Sequence, residues 1–150
     1  MKMKKRALVS ALSAAALIVA SCGGDGSADV EIKVPDIPMH QEMGAFEGEL
    51  NIVNWSGFVE PAWTDKFTAD TGCKVNPRVA GTSDEMVTLM RTGQYDIVSA
   101  SGDAALRLIV GGDVQPLNID LIPNFGDDIA AGMKGNVYDT VNGKPYGVPI

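Results

Sequence analysis

From Glu49 onward the apolar positions fall into short runs that switch between the two periods of regular structure. Leu50, Ile52 and Val53 make a β-rich run ending at Asn54-Trp55, and Pro61 sits where the first turn of a helix tolerates a residue without an N–H. Trp63, Phe67 and Thr71 recur at i, i+4 spacing, which predicts one face of a helix over 61–71, and Gly72 is placed to end it in a left-handed cap. Lys74 to Val79 reads as a second strand. Thr82-Ser83-Asp84-Glu85 has the spacing of a capping box, with Thr82 as N-cap, and opens a helix carrying Met86, Leu89 and Met90 as far as Gly93. Tyr95 to Ala100 is the third strand. Ser101-Gly102-Asp103 then turns into a helix with Leu106, Leu108 and Ile109, which Gly111-Gly112 ends. Strand and helix alternating through short connections predict parallel strands, right-handed crossovers and an α/β sheet with helices on both faces.

The flanking segments lack this order. Gly23 to Gly48 is rich in Gly, Pro and acids and holds no period, so 22–47 reads as a flexible tether spanning on the order of 25 to 30 Å. Its His40, the only histidine, is expected to be exposed and to bind no metal. Beyond the third helix, Pro116, Pro123, Asn124 and Gly126 interrupt the pattern, a short helix is expected over 127–133, and Val141-Asn142-Gly143-Lys144 suits a hairpin turn. Tyr146 to Ile150 is an apolar run with strand character and no stop signal. The sequence is therefore read as the first, incomplete lobe of a longer protein.

The other end has its own logic. Lys2, Lys4, Lys5 and Arg6 precede an apolar stretch, Ala7 to Ile18, that is too short to span a bilayer as a stable helix, which is the arrangement of an export signal. Val19-Ala20-Ser21-Cys22 resembles the lipobox of bacterial lipoproteins, implying that Cys22 carries the lipid and anchors the chain to a membrane from the extracytoplasmic side. The chain thus divides into a signal peptide (1–21), a tether (22–47) and one α/β lobe (48–150). With Cys22 lipidated, Cys73 is the one remaining thiol, so no intrachain disulfide is expected and Cys73 reads as a buried small hydrophobe. Of 12 Lys and Arg, four lie in the leader, leaving eight bases against 19 acids and a net charge of about −11. Nucleic acid and anionic lipid headgroups are poor partners for such a chain.

Ligands of open α/β sheets bind beyond the carboxyl ends of the strands. The segments there are 54–58, 80–84 and 100–103, and they offer Trp55, Ser56, Phe58, Ser83, Ser101 and Asp103 as candidate ligand-binding residues. Aromatic faces, hydroxyls, helix-start amides and carboxylates form a recognition set rather than a reacting one. No second histidine, no G-x-S-x-G elbow, no G-x-G-x-x-G after the first strand and no cluster with metal-ligand spacing is present, so no catalytic residue, metal or cofactor is assigned and the chain reads as a binder, not an enzyme. Plainer roles exist for each candidate: Trp55 as core filling, Ser101-Gly102 as an N-cap and turn, Asp103 as a favourable charge at a helix start.

Gly48-Glu49-Leu50-Asn51-Ile52-Val53-Asn54-Trp55-Ser56-Gly57-Phe58, with a helix ending Thr71-Gly72-Cys73-Lys74-Val75, resembles the start of spermidine/putrescine-type ABC transporter solute-binding proteins. Ser83-Asp84-Glu85-Met86, Gly93-Gln94-Tyr95-Asp96-Ile97-Val98 and Lys144-Pro145-Tyr146-Gly147-Val148-Pro149 are similar to later segments of that family in the same order. The resemblance implies a type II periplasmic-binding-protein fold, of which this chain supplies most of the first lobe, and a monomer that captures a small solute and passes it to a membrane permease. It also implies that Trp55, Ser56 and Ser101 face the ligand. Two positions depart from the family pattern: Gly57 stands where an acid is common beside the tryptophan, and Asp103 where an aromatic is usual. A cationic solute such as a polyamine is the first expectation, with Asp103 compensating for the acid missing at 57. A small anionic or zwitterionic solute, such as a carboxylate or phosphonate on the helix-start amides, is the alternative. A surface enzyme is the third.

Overall fold

The computed structural model of the chain describes residues 31–45, 47–127 and 129–150; the expected signal peptide and Cys22 lie outside them. Three strands, β1 (Glu49–Asn54), β2 (Lys74–Val79) and β3 (Ile97–Val98), form a parallel sheet in the order β2-β1-β3. Helices α1 (Pro61–Thr71), α2 (Ser83–Met90) and α3 (Gly102–Gly111) follow the strands in turn. This is the α/β alternation that the periodicity predicts. β1 is central and pairs along its whole length with β2, from Glu49 opposite Lys74 to Asn54 opposite Val79. β3 is shorter than expected and pairs only through Ile52 with Ile97 and Val53 with Val98. The Asp96 carboxylate explains its late start: it takes the backbone N–H of Asn51 at 2.8 Å, so a side chain occupies a rung of the ladder.

Side chains alternate across a strand, so β1 sends Val53 to one face and Leu50 and Ile52 to the other. On the first face Val53 and Ala80 meet Met86, Val87 and Met90 of α2 and Ala104 and Leu108 of α3, all buried. On the opposite face α1 lies over Leu50, Ile52 and Val75, yet none of its residues is buried: Trp63 is 61% exposed and Phe67 40%. A groove of about 210 Å³ remains between helix and sheet. Helices cover both faces, but only the α2–α3 face is sealed. The i, i+4 spacing correctly puts Trp63 and Phe67 together, whereas the depth of their burial depends on how much sheet lies beneath them.

The ends of the helices follow their local chemistry. Gly72, at φ +74, caps α1 with its N–H on the Thr68 carbonyl at 2.8 Å. Thr82 Oγ1 accepts the Glu85 N–H at 3.1 Å, while the Glu85 carboxylate reaches back to the Gly81 N–H at 2.8 Å, one residue earlier than in the usual reciprocal box. Cys73 is buried beside this framework, as expected.

The segment 31–45 holds no helix or strand, but it is not simply a free tether. Asn142 Nδ2 donates to the Ile32 carbonyl at 2.7 Å, Lys144 lies 3.6 Å from Asp36, and Pro35 and Ile37 sit against Gly112. Asn142 and Gly143, at φ +50 and +75, form the expected two-residue turn between β4 (Thr140–Val141) and β5 (Lys144–Pro145). The helix expected over 127–133 is instead a short α4 (Asn124–Asp127) and a separate 3-10 turn, Ala131–Met133, because Ala130 is extended at φ −55, ψ 133. Tyr146 to Ile150 forms no strand: the Tyr146 N–H bonds to the Asp139 carbonyl, and no described strand pairs with the residues that follow. No described helix is long and apolar enough to cross a membrane.

The unequal faces give a stability test. Met86→Ala should cost about 2–5 kcal/mol in chemical denaturation, the usual range for emptying a buried site, and Trp63→Ala clearly less. Equal losses would show that the α1 face is a second core.

Candidate ligand-binding site

Because the strands are parallel, all three release their chains at one edge of the sheet. After β1 the chain turns tightly: the Phe58 N–H bonds to the Trp55 carbonyl at 3.2 Å, and Gly57 takes φ +83, which a side chain would strain. Trp55 is half-buried and packs against the α2–α3 core cluster, so it fills space inward while part of it stays accessible. Ser56 and Phe58 are exposed, Phe58 by 47%. Asn54, just before them, is 1% exposed; its amide donates to the Trp55 carbonyl at 2.7 Å, and its Oδ1 has no partner.

After β2 and β3 the two helix starts converge. Ser83 Oγ lies 2.6 Å from Ser101 Oγ, and Ser101 Oγ donates to Asp103 Oδ1 at 2.6 Å, with Ser83 Oγ 3.4 Å from the same oxygen. Since the Ser101 proton goes to the carboxylate, the short Ser83–Ser101 contact requires Ser83 as its donor. The result is a relay from Ser83 through Ser101 to Asp103. Ser101 occupies the N-cap position of α3 at φ −67, ψ 159, yet makes no side-chain cap bond, because its hydroxyl is directed to Asp103. That separates it from an ordinary cap. The Arg107–Asp84 ion pair at 2.6 Å ties α3 to the start of α2 beside it; Asp84 is largely exposed, so the pair positions more than it stabilises.

Asp103 is exposed, and its carboxyl is held below the usual carboxylate range. The Ser101 hydroxyl is the main cause; desolvation opposes it, and smaller contributions from the backbone amides of Ala104 and Asp103 and from the Ser83 hydroxyl lower it further. A lowered folded pKa means that Asp103 favours the folded state above the unfolded carboxylate range and loses that contribution as pH falls through its own lowered value. The site thus presents a fixed negative charge at neutral pH.

Ser83, Ser101 and Asp103 are therefore brought into one hydrogen-bonded group, and Trp55, Ser56 and Phe58 occupy the turn leaving the neighbouring strand. Sequence reasoning missed Tyr138. Its ring lies on Gly102, where an added Cβ would fall 2.5 Å from Cγ and 2.6 Å from Cδ1. The only advance signal was the glycine inside a helix start, which reads equally well as a turn. A second groove, of about 550 Å³, is lined by Asp36, Ile37, Pro116 and Lys144 among others and shares no residue with this group. Among the described residues no cluster of three or more His, Cys, Asp or Glu could hold a metal ion.

No family model matches the chain. Over 78 residues it is 31% identical to the putrescine-binding periplasmic protein SpuD of Pseudomonas aeruginosa, a match covering 51% of this chain and 21% of that protein. A spermidine/putrescine ABC transporter structure from Listeria monocytogenes superposes with a TM-score of 0.57 at 23% identity, covering 61% of this chain and 29% of that one. The spermidine/putrescine substrate-binding protein PotD of Streptococcus pneumoniae gives 0.56 at 24%, covering 61% and 28%. Over the superposed 61% of the chain, the α/β fold is that of the corresponding part of these two structures. Over the aligned stretch the chain is a homologue of SpuD, and it spans about a fifth of that relative's length.

The relay makes a direct prediction. Ser101→Ala should raise the Asp103 pKa toward the ordinary carboxylate range in a carbon-13 NMR titration of the side-chain carboxyl, and an unchanged titration would show that Ser101 does not hold the charge.

Proposed function

We propose that this chain is the solute-capturing part of an ABC importer's binding protein, that its ligand is a small cation of the polyamine class such as putrescine or spermidine, and that it hands this solute to a membrane permease. The relatives' polyamine specificity and the sheet edge with its fixed charge support this reading together. The carrying observation is the Ser83–Ser101–Asp103 group: an exposed carboxylate that accepts the Ser101 hydroxyl, itself bonded to Ser83, where three strands end. An ammonium group there forms a charge-assisted hydrogen bond worth about 1.5–3 kcal/mol. The accessible parts of Trp55 and Phe58 add cation–π attraction of about 0.5–2 kcal/mol. Ser56 lies within the same turn as a further hydroxyl. An anion at the α3 start would meet a like charge instead.

In this reading the protein works as a monomer outside the cytoplasm, held to the membrane through a lipid on Cys22, and the segment after it lifts the lobe toward its permease. Binding of such a solute needs no covalent step.

Calorimetric titration of the full-length protein with putrescine and spermidine should give saturable binding, and Asp103→Asn should weaken it about 10- to 100-fold. Absence of polyamine binding at millimolar ligand, with a carboxylate bound more tightly by Asp103→Asn than by the wild type, would overturn the cationic reading.

A further inference from the structure

We infer that Tyr138 is a ligand-binding residue of this site, its ring forming an aromatic wall at the start of α3 against which a bound polyamine lies. The inference rests on the cationic-solute reading and adds to it a group far away in the sequence. Gly102 separates Ser101 from Asp103, and the Tyr138 ring covers it so closely that a Cβ at 102 would sit 2.5 to 3.0 Å from three ring carbons. Gly102 does not take a left-handed backbone conformation, so its φ does not require glycine. Glycine in a helix carries an entropic cost, and what it provides at this position is room for the ring.

The ring is not there to fill a core, since Tyr138 remains 52% exposed. It is nevertheless held in place. Asn136 organises the turn: its Oδ1 accepts the Tyr138 N–H at 2.8 Å, its carbonyl accepts the Thr140 N–H at 2.9 Å, and its amide donates to Asp139 at 2.6 Å. The Asp139 carbonyl in turn accepts the Tyr146 N–H. An exposed aromatic fixed by its backbone over the residue between a hydroxyl and an ionised carboxylate suits a ligand with both methylene and ammonium groups. The ring face meets the chain while Asp103 meets the charge.

Full-length protein titrated with putrescine tests this with three variants. Tyr138→Ala should weaken binding about 2- to 30-fold, Tyr138→Phe should bind like wild type because the ring persists, and Gly102→Ala should weaken binding by displacing the ring. Thermal melts establish that each variant is folded, and Gly102→Ala carries the test should Tyr138→Ala fail to fold. In NMR spectra the putrescine methylene protons should show ring-current shifts with wild type and Tyr138→Phe that shrink in the alanine variant. Wild type that binds no polyamine would remove the underlying reading. Wild type that binds, with Tyr138→Ala and Gly102→Ala binding equally well, would overturn the role of Tyr138 and leave that of Asp103 standing. Equal losses in Tyr138→Phe and Tyr138→Ala would overturn the stacking role.

Discussion

Parallel pairing of β1 with both of its neighbours is the constraint on which the site depends. It makes Glu49–Asn54 the middle strand and obliges the chain to cross back over the sheet before each new strand. Every strand then ends at the same edge. Residues 55, 83 and the pair 101 and 103 come from three separate segments of the sequence, and this topology is what brings those segments to one border. An antiparallel pairing of any strand would send its exit loop to the opposite end.

The two faces of the sheet serve that edge differently. On the α2–α3 face, Val53, Met86 and Leu108 are almost wholly buried, which fixes the starts of both helices relative to β1. A Ser83–Ser101 contact of 2.6 Å between side chains on two different helices demands that rigidity. The α1 face contributes less, since Trp63 and Phe67 stay substantially exposed over Leu50 and Ile52. Precision is thus concentrated beneath the carboxylate, where a shift of an ångström would break the hydroxyl relay.

Much of this was legible in the sequence for identifiable reasons. Period-2 and period-3.6 runs bounded by Pro61, Gly72, Thr82 and Gly112 mark the elements, because caps and breakers act locally. The end-of-strand rule singles out Ser83, Ser101 and Asp103 one by one, but not their mutual bonding, which depends on the angle between α2 and α3. Nor could it tell that the Ser101 hydroxyl would leave its cap position for Asp103. The late start of β3 depends on Asp96 taking a backbone N–H from β1, a long-range event invisible to periodicity. Tyr138 lies in a region of single turns with no period, and its partner Gly102 is thirty-six positions upstream. Pro35 and Ile37 likewise sit against Gly112 from a stretch whose composition resembles a linker.

The central claim is that the charge on Asp103 and the face of Trp55 meet one cation at this edge. Spermidine titrated into the full-length protein, followed by NMR at the Asp103 carboxyl and the Trp55 indole N–H, tests it most directly. The account predicts that both resonances shift saturably with one common midpoint while the Trp63 indole stays still. Saturable binding that leaves Asp103 and Trp55 unmoved would contradict it.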